Sequence, residues 1–452
     1  MKHFLIASIL LFSTALFQAQ TTLIPDTNFE QALIDLGLDN VLDGGVLTAS
    51  ISGVTDLYVD GQNISDLTGI DDFTVLTVLF CNNNQLTSLD VAQNTALEFL
   101  QCADNQLTSL DVSQNTALGF LHCFYNQLTS INVAQNTALT RLDCSGNTLT
   151  SLDVSQNTAL TGLWCGNNQL SSLDVTQNTA LSDLSCDYNQ LTSFNVTQNT
   201  ALTNFNCENN QLTSMDVAQN IALESFNCSN NQLTHLDVSQ NTALAFLHCS
   251  FNQLTSLDIT KNTALTLFSC SSNQLTSLDI TQNTTLHDLY CDDNQLTYLD
   301  VSQNTVLIHL YCNSNQLNCL NVANGNNINT YGFSANGNPS LSCIEVDDVA
   351  YSTTNWTNID VGASFSTNCP NSCFHSINEN NLSSLSIYPN PSNTGLIQTN
   401  TDLNYSNIKI YSIEGKQINF TKTNNVIDIS DNEKGVFLIS IDGVVMRYVY
   451  QD

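Results

Sequence analysis

One residue recurs at a fixed distance through most of this chain. Twelve cysteines are spaced 21 residues apart: Cys81, Cys102, Cys123, Cys144, Cys165, Cys186, Cys207, Cys228, Cys249, Cys270, Cys291 and Cys312. The same phrase returns around each of them, as in LEFLQCADNQLTSLDVSQNTA at residues 97–117. A repeat of this length is typical of a solenoid, in which each unit is one coil stacked on the next. We therefore expect the core to form by stacking, not around a single globular interior.

Each coil contains two short segments of alternating polarity. In residues 100–102 and 110–112, apolar side chains flank one polar residue, which predicts a short strand in each half of the coil. Asn105 and Asn115 follow these segments at the same offset, and asparagine tolerates tight turns. The coil is therefore predicted to be two strand–turn segments closing a flattened loop.

The fixed positions match a known repeat motif. The motif LxxLxLxxNxL stands here, with cysteine in the third leucine position, as Leu97, Leu100, Cys102, Asn105 and Leu107. This pattern resembles the leucine-rich-repeat family in its short bacterial form, over about residues 50–345. The resemblance implies a parallel sheet on one face, whose outward side chains bind other molecules. We expect a mainly β solenoid of about 13 coils at residues 54–322, the first of them irregular.

The segments flanking the repeats suggest a leader and two caps. Residues 1–20 combine an early positive charge with an apolar run and are predicted to be a secretory signal peptide. Residues 26–37 place apolar side chains on one helical face, so residues 21–53 are expected to form a helical N-terminal cap. Residues 323–373 depart from the repeat spacing and are expected to form the C-terminal cap.

The composition changes after a polar linker at residues 374–383. Five of the eight basic residues lie beyond residue 384, among seven short segments of alternating polarity: LSIYP, GLIQT, NIKIYS, KQINF, NVIDIS, GVFLISI and VVMRYVY. Seven short strands separated by turn residues predict a small β-sandwich at residues 384–452.

This tail carries several recognisable segments in a fixed order. They are YPNP at 388–391, IKIY at 408–411, Gly415-Lys416 and Gly435. The tail resembles the type A C-terminal sorting domain of the type IX secretion system. The resemblance implies handling by the type IX secretion machinery and a secreted or outer-membrane surface location in a Bacteroidetes-type bacterium. The alternative is an accessory immunoglobulin-like domain.

The charge of the chain excludes several classes of partner. The net charge is −33, and Arg141 and Lys261 are the only basic residues between 21 and 380. Such a surface repels phosphate backbones and anionic lipids, so we expect no nucleic-acid partner. Beyond the leader, no apolar run approaches the roughly 20 residues of a transmembrane helix.

The sixteen cysteines fall into two groups. The twelve repeated cysteines are expected to be buried free thiols, with a disulfide ladder and a metal ladder as alternatives. The other four are Cys319, Cys343, Cys369 and Cys373. We favour a Cys319–Cys343 bridge with Cys369–Cys373 as the second, against a competing Cys343–Cys369 pair or a zinc site. Sequence alone does not fix the connectivity.

A row of aspartates marks the second half of the coils. Its members are Asp90, Asp111, Asp153, Asp174, Asp216, Asp237, Asp258, Asp279 and Asp300, and Asn132 and Asn195 interrupt it. Stacked carboxylates repel one another. They are expected either to accept hydrogen bonds from neighbouring serine and threonine residues or to bind Ca²⁺ as a cation ladder.

Variation between coils is concentrated at the outward positions of the cysteine-bearing half. Aromatic and histidine side chains gather there, and the candidate ligand-binding residues are Phe99, Phe120, His122, Phe124, Tyr125, Trp164, Tyr188, Phe246, His248, Phe251, Tyr290 and Tyr311. Exposed aromatic side chains on one face usually mark an interaction surface. We therefore predict a binding protein for a protein or glycan ligand.

Two other interpretations remain at this stage. The outward positions could vary by drift alone, and the chain would then be a structural surface spacer or adhesin whose acidic row binds cations. An enzyme is not expected, because the sequence has no nucleophile elbow, zinc-binding HExxH or phosphate-binding glycine loop.

Overall fold

The computed structural model describes residues 20–370, 387–388, 393–399, 408–412, 416–423, 426–432, 434–441 and 444–450. The chain divides into two compact units, Met1–Thr367 and Asn368–Asp452, which are described separately below. The predicted signal peptide, apart from Gln20, and the predicted linker lie outside the described residues. Within the described residues, no helix has both the length and the apolar character needed to cross a bilayer.

The first unit begins with the predicted helical cap. Strands β1 (Thr21–Leu23) and β2 (Gly45–Leu47) pair antiparallel. Helix α1 (Thr27–Asp35) lies between them in the chain, and helix α2 (Thr48–Ile51) follows β2. Asp26 caps α1, because its Oδ1 accepts the backbone N–H groups of Asn28 at 2.8 Å and Phe29 at 3.0 Å. Its Oδ2 accepts the N–H and the hydroxyl of Ser65, both at 2.7 Å, which fastens the cap to the first coil.

The coils are held by one long parallel sheet. It has 14 strands in the described part of the chain. They are β3 (Asp56–Tyr58), β4 (Val78–Phe80), β5 (Phe99–Gln101), β6 (Phe120–His122), β7 (Arg141–Asp143), β8 (Gly162–Trp164), β9 (Asp183–Ser185), β10 (Asn204–Asn206), β11 (Ser225–Asn227), β12 (Phe246–His248), β13 (Leu267–Ser269), β14 (Asp288–Tyr290), β16 (His309–Tyr311) and β18 (Gly332–Ser334). Equivalent residues of successive coils pair directly, as Leu100 does with Leu121.

The repeated apolar positions form the interior. In the coil that starts at Leu97, the side chains of Leu97, Leu100, Cys102, Leu107 and Val112 have no exposed surface. They belong to one continuous cluster that extends from the N-terminal cap to Trp356. Because each coil buries its apolar side chains only when neighbours cover both of its open sides, stacking is the source of stability.

Two files of buried asparagines tie the coils together. Asn105 Oδ1 accepts the N–H of Leu86 in the preceding coil at 3.0 Å, and its Nδ2 donates to the carbonyl of Cys81 at 3.0 Å. Asn115 Nδ2 donates to the carbonyls of Val91 at 2.8 Å and Asn94 at 2.9 Å. The bond to the Leu86 N–H satisfies a buried backbone donor, and the bonds to the carbonyls join each coil to the coil before it.

The second half of the coil differs from the prediction. In most coils it is an irregular segment, with isolated bridges joining Asp111 to Asp90 and to Asn132. Regular strands appear there only near the C-terminal end of the described solenoid, as the four-stranded parallel sheet of β15 (Tyr298–Asp300), β17 (Cys319–Asn321), β19 (Cys343–Glu345) and β20 (Ser364–Ser366). A two-strand coil was therefore wrong for most of the array.

The solenoid also runs further than the thirteen predicted coils. Strand β18 pairs with β16 inside the segment that we predicted to be only a cap, and it places Phe333 and Ala335 in the leucine and cysteine positions. Helix α3 (Val349–Asn355) then closes the end, and Trp356 stacks on Phe333 with 4.2 Å between ring centroids. Two 3₁₀ turns complete this unit, at Ile70–Asp72 and Asn327–Asn329.

The second unit contains two antiparallel sheets. One is formed by β21 (Ile387–Tyr388), β22 (Leu396–Thr399), β24 (Thr421–Thr423) and β25 (Val426–Asp428), and the other by β23 (Ile408–Ser412), β26 (Gly435–Ile441) and β27 (Val444–Tyr450). Side chains of both sheets share one buried cluster. Six of the seven predicted strands are found in place, whereas the strand predicted at residues 416–420 lies at residues 421–423.

Candidate ligand-binding face

The first and third residues of each strand in the long sheet point away from the core. In β8, for example, the central Leu163 is fully buried, whereas Trp164 is partly exposed. Because the strands pair in register, these outward positions form two straight files. One file contains Phe99, Phe120 and Arg141, and the other contains His122, Asp143 and Trp164 in that order. Neighbouring members are separated by about 4.8 Å, the spacing of paired strands.

Aromatic rings and one cation contact each other on β5 to β7. The rings of Phe99 and Phe120 stack with their centroids 4.7 Å apart, and the guanidinium carbon of Arg141 lies 5.6 Å from the Phe120 centroid. In the turn that follows β6, the rings of Phe124 and Tyr125 pack edge to face, with their centroids 5.6 Å apart. We name the group of Phe99, Phe120, His122, Phe124, Tyr125 and Arg141 the N-terminal aromatic patch. The sequence did not predict Arg141 as a member of this group, because strand spacing does not specify which outward side chains contact each other.

His122 lies at the centre of this patch in an unusual state. Its Nε2 is buried and has no hydrogen-bond partner among the described residues. Burial lowers the pKa of His122, and Arg141 lowers it further, while Asp143 acts in the opposite direction. The imidazole is therefore neutral near neutral pH, and its Nε2 is enclosed without a hydrogen bond among the described residues.

The middle of the face, from β8 to β12, is mostly polar. A depression of about 340 Å³ lies here, bordered by Trp164 at one end and His248 at the other. Between them the outward positions carry Ser185, Asn206 and Asn227. Burial lowers the pKa of His248, although Glu208 opposes this shift. Phe246 lies on the same strand as His248 and is exposed, as predicted for a ligand-binding residue.

The C-terminal end of the face carries a second aromatic group. Tyr290 and Tyr311 are paired in register and stack with their ring centroids 5.3 Å apart. Beside them, His309 Nδ1 pairs with the carboxylate of Asp288. A Cβ on Gly332 would lie 2.4 Å from the His309 ring, so the absence of a side chain at position 332 leaves room for this group.

Three of the predicted ligand residues do not lie on the sheet. Tyr125, Tyr188 and Phe251 occupy the turn after the strand, with φ values of 48°, 48° and 54°. Every neighbouring coil has a left-handed residue at this position, but it is usually asparagine, glycine, serine or aspartate. Our assignment of these side chains, and of Phe124, to the sheet face is therefore corrected: they line its rim. The reason is that the turn begins immediately after the cysteine.

Large aromatic residues in this conformation are unexpected. For residues other than glycine, asparagine and aspartate, left-handed backbone costs roughly 1–2 kcal/mol. The three rings nevertheless remain more than half exposed, at 57%, 51% and 56%, so burial does not offset the strain. The repeated turn imposes this backbone in each coil, and it holds the three aromatic side chains at the rim of the sheet face.

The aspartate row forms a repeated turn. The Oδ1 of Asp111 accepts the N–H of Ser113 at 2.9 Å, and each member of the row accepts the N–H two residues later. Asn132 and Asn195 make the same bond. The described residues contain no group of three or more acidic, histidine or cysteine side chains placed to hold a metal ion. The Ca²⁺ ladder remains a prediction, and the hydrogen-bonded row accounts for the geometry without it.

The twelve repeated cysteines are free and buried, as predicted. Burial raises their pKa, and for Cys249 to about 12. The thiols are therefore protonated and unreactive in the folded protein.

Three of the remaining four cysteines form disulfide bonds. Cys319, Cys343 and Cys369 are disulfide-bonded, whereas Cys373 lies outside the described residues. Because Leu320 pairs with Ile344 in adjacent strands, Cys319 and Cys343 precede two paired positions. This register agrees with the predicted Cys319–Cys343 bridge, and the connectivity stays a prediction.

Comparisons with known proteins address both units. Residues 386–449 match the family described as the secretion system C-terminal sorting domain. The functional domain of InlJ from Listeria monocytogenes, which includes a cysteine ladder, is 29% identical with a TM-score of 0.63, over 96% of this chain and 99% of that chain. An internalin, InlF, from the same organism is 21% identical with a TM-score of 0.61, over 77% and 97%. The LRR protein LIC12759 of Leptospira interrogans is 19% identical with a TM-score of 0.50, over 71% and 97%.

This chain has a leucine-rich-repeat fold and a C-terminal sorting domain. The tail directs export by the type IX route of Bacteroidetes to the cell surface or the exterior. No curated protein matches the chain. Like the InlJ domain, this chain contains a cysteine ladder.

Proposed function

We propose that this leucine-rich-repeat protein binds a protein ligand through the N-terminal aromatic patch. The observation that carries the proposal is the contact between the stacked rings of Phe99 and Phe120 and the guanidinium of Arg141. Aromatic residues and arginine dominate the energetic centres of protein interfaces. A cation above an aromatic ring strengthens further when a partner excludes water from it.

The chemistry around this contact supports the same interpretation. Tyr125 projects from the rim at 57% exposure and extends the aromatic surface of the patch. A protein partner would cover these exposed rings. The net charge of −33 favours a partner with a basic surface, because such a partner is attracted over long distances.

The test compares capture of cell-surface proteins by the mature wild-type protein and by variants. The Phe120→Ala, Tyr125→Ala double variant is expected to lose capture with no change in melting temperature. A second variant, Phe99→Ser with Arg141→Ser, removes the stacked contact alone. The matched control is Gln114→Ala, an exposed residue on the other half of a neighbouring coil.

The alternative is a structural spacer or adhesin, in which coil number matters and the outward side chains do not. Under that function both patch variants would bind like wild type, and deletion of one 21-residue coil would change the behaviour of the protein. Unaltered capture by both patch variants would therefore refute the proposed binding function.

A further inference from the structure

The polar depression on β8 to β12 differs in chemistry from the N-terminal aromatic patch. Its five strands pair in register. Their third residues therefore form one continuous row of Trp164, Ser185, Asn206, Asn227 and His248. At about 4.8 Å per strand, the row extends for roughly 19 Å. Its volume of about 340 Å³ falls within the range of small-ligand sites, roughly 300–1,000 Å³. The depression is therefore elongated along the direction in which the coils stack.

A tryptophan whose ring position depends on a neighbouring glycine borders one end of the depression. The indole of Trp164 folds back over Gly162 on its own strand, and a Cβ at position 162 would lie 2.4 Å from Cη2 of the ring. Every other residue type at position 162 would displace the ring. The glycine therefore allows a partly exposed aromatic surface to border the polar row.

The amides along the row are held in fixed orientations. Asn206 Oδ1 accepts the N–H of Glu208, and Asn227 Oδ1 accepts the N–H of Ser229, each at 3.1 Å. Their Nδ2 groups donate to Ser185 Oγ at 3.4 Å and to Glu208 Oε2 at 2.9 Å. Each amide has two N–H groups, so a second donor remains for a ligand. Because both amides are already oriented, little side-chain entropy is lost when they bind.

The composition of the depression selects against several ligands. Among the described residues that line it there is no lysine or arginine, and Asp183 contributes a carboxylate. Anionic ligands are therefore disfavoured. The centres of protein interfaces are depleted of serine and aspartate, whereas this row consists mainly of short polar side chains. An aromatic ring beside a row of amide and hydroxyl groups suits a molecule with apolar C–H faces and many neutral hydroxyl groups.

We propose that this depression binds a neutral oligosaccharide, with one sugar ring stacked on Trp164 and the hydroxyl groups of the following sugars hydrogen-bonded to Asn206 and Asn227. The site uses the same sheet as the proposed protein-binding function but different residues, so either function can fail without the other.

The test uses the full mature protein and five neutral probes: cello-, malto-, laminari-, manno- and chitotetraose. Binding is followed by intrinsic fluorescence and by calorimetry. The chain has two tryptophans, and Trp356 is only 2% exposed, so a change in emission on titration reports Trp164. An anionic hyaluronan tetrasaccharide serves as the comparison probe.

Trp164→Ala is expected to weaken binding of the best neutral probe by about tenfold. The Asn206→Ala, Asn227→Ala double variant is expected to weaken it by about 10- to 30-fold. Gly162→Ala should also weaken binding, because its methyl group displaces the indole. The control is Gly119→Ala, where the nearest atom to an added Cβ is 3.8 Å away, and it should bind like wild type.

Saturable binding of a neutral probe that falls in the three site variants and not in the control supports the site. Absence of binding to all five neutral probes, or equal affinity in wild type and the Trp164 and asparagine variants, overturns it. Loss of protein capture in Trp164→Ala without any oligosaccharide binding also overturns it, and assigns this part of the face to the protein ligand. Phe99→Ser with Arg141→Ser, tested in parallel for protein capture, reports the proposed function separately.

Discussion

The ring of Tyr125 lies over Gly146, the residue at the same turn position of the next coil. A Cβ on Gly146 would lie 2.3 Å from Cδ1 of that ring. Both residues have left-handed backbone, with φ of 48° for Tyr125 and 62° for Gly146. The rim of the binding face therefore combines a strained aromatic residue with a glycine that leaves space for its ring.

This strain predicts that the rim aromatics reduce stability. Tyr188→Asn should raise the free energy of unfolding by about 1 kcal/mol, because asparagine adopts left-handed backbone readily and occupies this position in neighbouring coils, as at Asn167 and Asn209. Chemical denaturation measures the change. Tyr188→Phe is the control, since it keeps the strain and should leave stability unchanged. A destabilised Tyr188→Asn variant would show that packing of the ring outweighs the backbone strain.

The two asparagine files should differ in their contribution to stability. Asn105→Ala leaves the buried N–H of Leu86 and the carbonyl of Cys81 without this partner, and is expected to lower the free energy of unfolding by about 3 kcal/mol. Asn115 makes only donor contacts, and its buried Oδ1 has no hydrogen-bond partner in the described structure. Asn115→Ala should therefore cost less. Equal losses in denaturant titrations of the two variants would contradict this account.

The aspartate row should make the solenoid sensitive to acid. The N–H and hydroxyl of the residue two positions later lower the pKa of Asp111, Asp153 and Asp174. Because the folded-state pKa lies below the unfolded one, this stabilisation is complete above the ordinary aspartate pKa of about 3.9 and is lost as pH falls through the lowered values. The melting temperature of the wild type should fall over this acidic range.

Replacing these three residues by asparagine is the matched test. Asn132 and Asn195 already make the equivalent turn, so the triple variant should keep its fold near neutral pH and show a smaller loss of melting temperature in acid. The same proteins distinguish the cation ladder. Under the hydrogen-bonded account, EDTA leaves the wild-type melting temperature unchanged, whereas a fall of several degrees would establish bound Ca²⁺.

The number of reactive thiols tests whether the ladder cysteines are buried and free. In the native protein, Ellman's reagent should react with none of the twelve ladder cysteines, because burial keeps them protonated and covered. After unfolding in guanidinium without a reductant, twelve thiols per chain should react. Addition of a reductant first should raise the number to sixteen, the total in the chain. Fewer than twelve before reduction would indicate disulfides within the ladder.

The solenoid could be predicted because its constraints repeat. Each buried leucine and cysteine recurs at the same offset, so one coil determines the environment of the next. The prediction failed where a coil departs from this pattern. Phe333, in the fourteenth strand, and Ala335, directly after it, replace leucine and cysteine in a segment predicted to be part of the cap. The second half of the coil has the same strand-like alternation throughout, but it forms regular strands only at β15, β17, β19 and β20.

The sequence predicted only part of the candidate site. Period-two alternation correctly placed Phe120 and Trp164 on the outward face. It could not reveal that the backbone of Tyr125 turns left-handed, that Arg141 contacts Phe120, or that Trp164 folds over Gly162. These are relations between particular side chains, and they depend on rotamers that no spacing rule specifies.

The in-register pairing of equivalent residues has a consequence for inheritance. Any two coils offer nearly the same upper and lower surfaces, as the equivalent pairs Leu100–Leu121 and Leu247–Phe268 illustrate. Recombination between the corresponding stretches of the gene removes or adds whole coils, keeps the reading frame and leaves a joint that still fits. Related strains should therefore carry alleles of different length. The distance between the N-terminal aromatic patch and the C-terminal aromatic group would then vary between them.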